Sequence, residues 1–343
     1  MTDTLQRSAD ETQAVPPFAQ ASDAVPPSAR PPKPPKPPKV PKAQKPPRPP
    51  RRPPASAIPV VPLGPVQTVI RGVLLLVAAM LFAFAANLMV LSHVQHFVAQ
   101  QQQTNELKLE LAAGTAPVSE ATFDDKLVPD GAPVGLIDIP SINVHEVISE
   151  GTSAPILQSG PGHRRDSVLP GQAGISTIMG RAAAYGGPFS RIQELAPGDR
   201  FTVTTGQGSQ TFSVIGVRYA GDPIPRFQPG TSRVTLITAR GPAYIPTAVA
   251  YVDATLSSTV QPAGKRQTTF LALPATDGAM ATDTSTVWAL IFALQFLLVV
   301  EIAAVWAYRK IGAQKTWVVF TPLTILAALY VANQMTLLLP NLL

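Results

Sequence analysis

The segment APGDRFTVTTGQGSQTFSVIGVRYA, residues 196–220, carries the clearest secondary-structure signal in the chain. Phe201 and Val203 alternate with Thr202 and Thr204, and this apolar–polar alternation is typical of a strand with one buried face. The turn sequences PGD and GQGS bound that run at its two ends. The segment therefore predicts two β-strands separated by a turn.

Similar short runs occur on both sides of this segment. They are bounded by turn residues and read VGLIDIP, VHEVIS, GISTIMG, RVTLITA and AVAYVDATL. This succession favours a compact antiparallel or mixed β-barrel with few helices. A region of about 120 residues is long enough to bury one core. We assign this β domain to residues 134–256.

The composition of the 343-residue chain indicates a membrane protein rather than a simple soluble enzyme. Charged residues make up 14% of the chain, well below the roughly 25% typical of soluble proteins. Mean hydropathy is +0.17. The sequence contains no cysteine, which excludes disulfides, iron–sulfur clusters, thiolate metal sites and catalysis by a thiol.

Three apolar runs are long enough to cross a bilayer, which needs about 20 helical residues. We place transmembrane helices at 68–92, 287–308 and 317–339, with a short cytoplasmic loop at 309–316 between the last two. Residues 93–133 are expected to form a stalk and linker. Residues 257–286 are expected to form a second linker after the β domain.

Basic residues are concentrated in two places outside the apolar runs. Residues 1–71 carry a net charge of +7 and residues 308–343 a net charge of +3, whereas residues 72–307 carry −4. Positively charged segments favour the cytoplasmic side of a membrane. We therefore expect a multi-pass protein of the cell membrane, with the N-terminal tail in the cytoplasm and the β domain outside. The first run follows a long tail, which indicates a signal anchor rather than a cleavable signal peptide.

Residues 1–67 form a tail rich in proline, lysine and arginine. Twenty of the 38 prolines lie in the first 65 residues. Proline removes backbone donors and the basic repeats repel one another, so the tail is expected to be disordered. It could bind a polyproline-recognising protein, lie on anionic membrane lipids, or serve only as a solvated basic tail. Its single aromatic residue, Phe18, argues against nucleic-acid binding.

Four polar residues within the apolar runs are candidates for specific contacts, namely Glu301, Asn87, Asn333 and Gln334. An ionised carboxylate is costly inside a bilayer unless it is paired, protonated or close to the interface. Glu301 is therefore expected either to meet a polar partner or to bend toward the inner interface near Arg309. The three amides can form hydrogen bonds between helices.

The β domain resembles the sortase family, in particular the class E sortases of actinobacteria. The matching pieces follow the family order and are LIDIPSINV (136–144), EGTS (150–153), GPGH (160–163), LPGQAG (169–174), IMGRAAAYGGPFSRIQELAPGD (178–199) and VTLITA (234–239). The resemblance implies a sortase-like β-barrel. We therefore predict a mainly β fold, with the barrel outside, three transmembrane α-helices and a disordered proline-rich tail.

The positions that carry the family's chemistry hold other residues in this chain. In such sortases a cysteine thiolate attacks a threonyl carbonyl of a sorting signal and forms a thioester, a histidine handles protons, and an arginine stabilises negative charge. The resemblance places the histidine at Arg181 and the nucleophile at Ala239. It places the arginine near Thr247 or Ala248, and the nearest arginine is Arg240. A methyl group cannot form a thioester, and a guanidinium stays protonated at physiological pH. The resemblance therefore implies a degenerate domain with no catalytic residue.

The remaining groove is a candidate binding site. Arg181 and Arg240 could together bind a carboxylate, a phosphate or an acidic peptide, with Tyr185 beside them. The alternatives are that Arg181 pairs with an acid such as Asp166 or points to water, and that Tyr185 serves only in packing. We expect no metal ion and no cofactor.

Three functions stay open on the sequence alone. We prefer a catalytically inactive sortase-like protein that binds or scaffolds cell-envelope or sorting-signal proteins, among them an active sortase. A second hypothesis is a sortase-fold transpeptidase or hydrolase with a hydroxyl nucleophile. Its candidate groups are the hydroxyls of Thr238, Thr235 and Ser176 and the imidazoles of His163 and His145. A third is an accessory subunit of a membrane complex.

Overall fold

The alternating segment forms two neighbouring strands of a closed barrel in this computed structural model, which describes residues 64–122, 124–264 and 266–343. The strands are β1 (Pro133–Ile139), β2 (Val144–Glu150), β3 (Gly162–His163), β4 (Gly174–Met179), β5 (Arg200–Thr205), β6 (Gly208–Tyr219), β7 (Ser232–Arg240) and β8 (Ala248–Leu256). They close in the order β1-β2-β3-β4-β7-β8-β6-β5. Residues 1–63 of the predicted disordered tail lie outside the described residues.

Alternate positions of the strands fill the barrel interior. In β5, Phe201 and Val203 are buried, and Phe201 stacks on Phe212 of β6 with ring centroids 5.4 Å apart. Strand β7 is buried along almost its whole length. It lies between β4, which runs parallel to it, and β8, which runs antiparallel. This central position buries the end of β7, where Ala239 lies.

The helices are α1 (Pro65–Ala86), α2 (Ser92–Ala113), the short α3 (Ala154–Leu157), α4 (Val287–Ile311) and α5 (Ala313–Leu337). A π-helical turn, Asn87–Leu91, joins α1 to α2 without a break. In the part of the chain that the structure describes, three helical stretches are long and apolar enough to cross a membrane, namely Val66–Ala113, Thr284–Ile311 and Ala313–Leu337. The predicted mainly β fold with three apolar helices is therefore confirmed.

The bounds of the apolar helices differ from those predicted: the first helical stretch continues to Ala113, and the predicted loop at 309–316 is helical except at Gly312. Helix α1 begins at Pro65, and α5 ends at Leu337. Gly312 separates α4 from α5 with a φ of 87°, a left-handed conformation that favours glycine. Helix α5 packs along α4 and also contacts α1. The linker at 257–286 contains short 3-10 turns at Phe270–Ala272, Ala275–Asp277 and Thr284–Thr286.

Helix α2, predicted to be a stalk, packs against the barrel. The side chain of Gln100 accepts a hydrogen bond from the N–H of Val147 at 2.8 Å and donates one to the carbonyl of Ser159 at 2.8 Å. One turn later, Gln103 donates to Ser149 Oγ at 2.7 Å. Gln100 thus satisfies the Val147 N–H of β2, whereas Gln103 bonds to a side chain of the same strand. The first apolar helical stretch is thus joined directly to the folded domain.

Candidate functional site

Arg181 lies just past the end of β4, and Ala239 is the next-to-last residue of the neighbouring strand β7. In the parallel pair of β4 and β7, Met179 lies opposite Ile237. The pairing continues beyond β4, because the N–H of Gly180 donates to the Ile237 carbonyl at 3.0 Å. The hydroxyl of Thr238 donates to the Gly180 carbonyl at 2.9 Å. These bonds bring Arg181 and Ala239 to the same end of the barrel wall.

Ala239 presents a methyl group to an apolar cluster. Its residue exposure is 4%, and the buried members of the cluster are Leu157, Met179, Ile237, Ala239 and Leu342. An aliphatic side chain in such surroundings can contribute van der Waals contact but no bond-making chemistry.

Arg181 is fully buried, with an exposure of 0%. Its Nε donates to the Leu157 carbonyl and its Nη2 to the Ala154 carbonyl, both at 3.0 Å. The guanidinium also lies 4.9 Å from the centre of the Tyr185 ring, a favourable cation–π distance. Burial lowers the pKa of Arg181 to about 10. The group is therefore protonated at neutral pH and cannot act as a base there.

The two sequence-based alternatives for Arg181 are both wrong. Asp166 accepts instead from Arg164, with Nη2 and Oδ2 3.0 Å apart. Arg181 itself has no exposed surface, so it does not point to water. Its partners are backbone carbonyls, which the sequence does not reveal.

Tyr185 forms hydrogen bonds between the site and the helices α2 and α5. Its hydroxyl lies 2.9 Å from Thr336 Oγ1 on α5. Because the Thr336 hydroxyl donates to the Asn333 carbonyl at 2.7 Å, Tyr185 is the donor of this pair. Its backbone N–H donates to Ser92 Oγ on α2 at 3.2 Å. Burial raises the pKa of the Tyr185 hydroxyl, which keeps it protonated as this bond requires.

The polar residues predicted inside the membrane helices occupy different environments. Asn87 is buried in the π-helical turn, and Gln334 is buried on α5. Asn333 is half-buried, with its Oδ1 3.5 Å from the Tyr185 hydroxyl. Glu301 is half-buried on α4. Asn333 thus lies beside the loop that carries Tyr185, with its amide oxygen facing the Tyr185 hydroxyl.

Arg240 lies on the exposed rim of the site. Its guanidinium is 4.1 Å from the centre of the Tyr219 ring. It borders a cavity of about 170 Å³ whose lining includes Ala239, Pro242 and Tyr244. The two guanidinium groups therefore have different neighbours. Arg240 is accessible to an anionic ligand, whereas Arg181 is enclosed.

The candidate hydroxyl nucleophiles are buried away from solvent. Thr238 donates to a carbonyl, as described above, and Thr235 Oγ1 donates to Asp253 Oδ1 at 2.7 Å. Ser176 is also fully buried. His145 lies elsewhere on the exposed surface, 3.3 Å from Asp138. This arrangement provides no exposed hydroxyl beside an imidazole at the end of β7.

A serine, a histidine and a glutamate meet at a second place that sequence reasoning missed. Ser167 Oγ lies 3.1 Å from His163 Nε2, and His163 Nδ1 lies 2.9 Å from Glu150 Oε2. However, His163 Nε2 also lies 2.9 Å from the Val168 carbonyl, and Ser167 donates to the Arg164 carbonyl at 2.7 Å. Since a carbonyl only accepts, Nε2 carries a proton and cannot take one from Ser167. The trio is a buried structural network.

The segment 339–343, which follows α5, occupies the groove beside Ala239. Leu342 is fully buried in the cluster that contains Ala239, and its carbonyl accepts from the N–H of Ala182 at 2.9 Å. The sequence analysis places only residue 339 in a transmembrane helix and predicts no role for residues 340–343. Its proximity to β7 depends on packing of α5 that no local pattern encodes.

The arrangement as a whole suits non-covalent binding of a peptide segment. In this structure the backbone donors at Ala182 and Ala184 and the apolar floor around Ala239 hold residues 342 and 343, beside a positive rim at Arg240. Among the described residues, no group of three or more His, Asp or Glu side chains is placed to hold a metal ion.

Comparison with known proteins gives a family for this barrel. Residues 137–254 match the family model described as the sortase domain. A curated relative, sortase D of Bacillus subtilis (strain 168), is 33% identical over 85 residues, which is 25% of this chain and 41% of the relative. The match thus spans about two fifths of the length of that relative.

Solved structures of sortases are also similar to this chain. The Clostridium perfringens sortase D5 transpeptidase is 20% identical, with a TM-score of 0.39, over 47% of this chain and 99% of the other. Sortase E1 from Streptomyces coelicolor, solved with a tripeptide in its active site, is 24% identical, with a TM-score of 0.34, over 37% of this chain and 90% of the other. On the strength of the family match, residues 137–254 of this chain form a domain of the sortase family.

Proposed function

We propose that this chain is a membrane-anchored, catalytically inactive sortase-like protein that acts as an extracytoplasmic binding or scaffold module for cell-envelope proteins. The pair of side chains at the strand ends carries the proposal. Ala239 is an aliphatic residue in an apolar cluster, and Arg181 is a buried guanidinium bonded to two carbonyls. Covalent catalysis needs a nucleophile and a base within hydrogen-bond reach, and these two groups supply neither.

The surrounding hydroxyl groups support inactivity as well. The proton of Thr238 is directed to the carbonyl of Gly180 rather than to a base. In the buried network of Ser167 and His163, the imidazole nitrogen that faces the serine is already a donor. A hydrolase with a hydroxyl nucleophile would need both networks to rearrange before proton transfer.

The binding half of the proposal rests on the contacts that the groove makes with residues 342 and 343. The N–H groups of Ala182 and Ala184, which bond to those residues in this structure, can pair with the carbonyls of another peptide when the segment leaves. The exposed guanidinium of Arg240 favours a partner with a nearby carboxylate. We propose that the partners are cell-envelope proteins with sorting signals, or an active sortase that handles them.

The proposed topology places the tail and the loop between α4 and α5 in the cytoplasm and the sortase domain outside. Arg309, Lys310 and Lys315 around that loop favour the cytoplasmic side. The segment after α5 contacts the barrel, so a hairpin that crosses the membrane twice would begin and end on the barrel's side. Membrane lipids are then the immediate neighbours of all three apolar helices.

The test is a transpeptidation assay on the full chain purified in detergent. The chain is incubated with peptides that carry a cell-wall sorting signal and with hydroxylamine as a strong nucleophile, and products are followed by mass spectrometry. We expect no product above the enzyme-free blank, while an active sortase in the same assay cleaves the peptides. Cleavage by this chain would contradict inactivity.

If cleavage occurs, the variant Thr238→Ala identifies its source. Loss of activity in that variant, together with an ester-linked intermediate in the unmodified chain, would establish the hydroxyl mechanism in place of the proposed one. Activity that persists would point to another group.

A further inference from the structure

The segment 339–343 is held in the groove by both backbone and side-chain bonds. The N–H groups of Ala182 and Ala184 donate to the carbonyls of Leu342 and Leu343 at 2.9 and 3.2 Å. The Leu343 N–H also donates to the Pro340 carbonyl at 3.1 Å, so residues 340–343 form a turn whose last two carbonyls pair with the loop after β4. Such backbone bonds hold the segment in place but do not depend on the identity of its side chains.

The side chain of Asn341 adds a specific contact. It is fully buried, and its Nδ2 donates to the carbonyls of Thr152 and Gly278, both at 2.9 Å. Its own N–H donates to the Ala281 carbonyl at 2.9 Å. Only an amide side chain of this length supplies two such donors without a charge. The pocket around Asn341 therefore selects for a side-chain N–H₂ group, whereas Oδ1 of Asn341 has no hydrogen-bond partner among the described residues.

The next two side chains fill apolar pockets. Leu342 lies in the cluster with Leu157 and Ala239, and Leu343 packs in a second cluster with Tyr185. Both leucines are buried. The segment thus occupies the surface beside position 239, where any other peptide bound at this end of β7 would have to lie.

We propose that residues 339–343 are an intramolecular ligand that closes this groove to other peptides of the same pattern, an amide residue followed by two aliphatic residues. The proposal rests on the proposed function, because it concerns the occupancy of the same groove. Since α5 precedes the segment directly, the tether holds it at a high effective concentration. An external peptide binds only when the segment leaves.

The absence of cysteine from the sequence allows a direct test. Ala239→Cys in the full chain places a single thiol beneath Leu342, and Ser257→Cys places one at an exposed position as the control. Each is compared with the same substitution in a chain that ends at Leu338. We expect removal of the segment to speed labelling of the thiol at position 239 by a maleimide at least about tenfold. Labelling at position 257 should not change.

A free peptide with the sequence of residues 338–343 then serves as the probe. Added to the shortened Ala239→Cys chain, it should slow labelling again, whereas a peptide with Asn341→Ala should have a weaker effect. Circular dichroism verifies that the shortened chain keeps its sheet. Rapid labelling in the full chain, or a peptide without effect on the folded shortened chain, would overturn the proposal. These readouts do not depend on cleavage, so they fail separately from the proposed function.

Discussion

Arg181 is buried without a carboxylate partner, an arrangement that is costly unless its N–H groups are hydrogen-bonded. Its two acceptors, the carbonyls of Ala154 and Leu157, belong to the short helix α3. The last carbonyls of a helix have no partner within the helix, and a nearby cation satisfies them. Arg181 therefore holds α3 against the end of β4, and its role at this position is structural.

The substitution Arg181→Met tests this role. It keeps a long unbranched side chain but removes the donors to both buried carbonyls, and we expect the free energy of unfolding to fall by about 2–4 kcal/mol. Burial lowers the folded-state pKa of Arg181 to about 10, so the guanidinium is protonated in both the folded and the unfolded state well below that pH. The loss should thus be the same at pH 6 and at pH 8. Urea denaturation followed by circular dichroism measures it.

Arg191→Met is the matched control. Arg191 is exposed and pairs with Glu194 on the surface of the same loop region, and such pairs contribute little to stability. We expect no measurable change. If both substitutions cost the same, the bonds of Arg181 to α3 do not stabilise the fold.

The positions of Arg181 and Ala239 along the strands could be predicted from the sequence, but the groups that they contact could not. Strand patterns and the family resemblance aligned both positions at strand ends, and the register of β4 and β7 brings them together. The acceptors of Arg181 are backbone carbonyls of Ala154 and Leu157, and a carbonyl has no residue signature. The contacts of Asn341 could not be predicted from the sequence for the same reason, because its acceptors are also backbone carbonyls.

At the scale of elements, the loop after β4 approaches α2 closely enough to require glycine. Gly186 has a φ of 78°, and a Cβ there would lie 2.4 Å from Cδ2 of His96. The imidazole is not free to move away, because its Nε2 is 3.1 Å from Glu146 Oε1. The loop that carries Tyr185 is thus fixed against the helix by a close steric contact.

Gly186→Ala should loosen this contact. We expect the backbone conformation to cost about 1–2 kcal/mol and the collision with His96 to add about 1–3 kcal/mol. Gly208→Ala is the control, because Gly208 also has a positive φ, 98°, but nothing lies within 4 Å of its Cβ position. Unfolding in urea should show the larger loss for Gly186→Ala. Equal losses would mean that only backbone strain matters.

The elements themselves were more predictable than their packing. Apolar runs predicted three membrane helices, because length and composition alone set that signal. The contact of α2 with β2 was missed, since Gln100 and Gln103 look like ordinary exposed residues of a polar helix. Their role depends on which strand lies opposite, and that is a property of the tertiary fold.

At the scale of the whole molecule, the groove and the apolar helices meet at the loop that carries Tyr185. Tyr185 bonds to Ser92 on α2 and to Thr336 on α5, and its ring lies beside Arg181. Residues 339–343 continue from α5 into the groove. Any ligand that displaces this segment also removes a contact between the barrel and α5. Occupancy of the groove is therefore linked to the packing of α5 against the barrel. Two sites are coupled when a ligand at one changes the contacts made at the other.

The proposed orientation gives a final prediction that concerns the whole chain. Because the sequence has no cysteine, Ser257→Cys in the barrel and Gln314→Cys in the loop between α4 and α5 each introduce one exposed thiol. The basic residues Arg309, Lys310 and Lys315 favour the cytoplasm for that loop. A membrane-impermeant maleimide should label Ser257→Cys on intact cells and Gln314→Cys only after permeabilisation. The reverse pattern would place the sortase domain in the cytoplasm, where a binding role toward cell-envelope proteins could not operate.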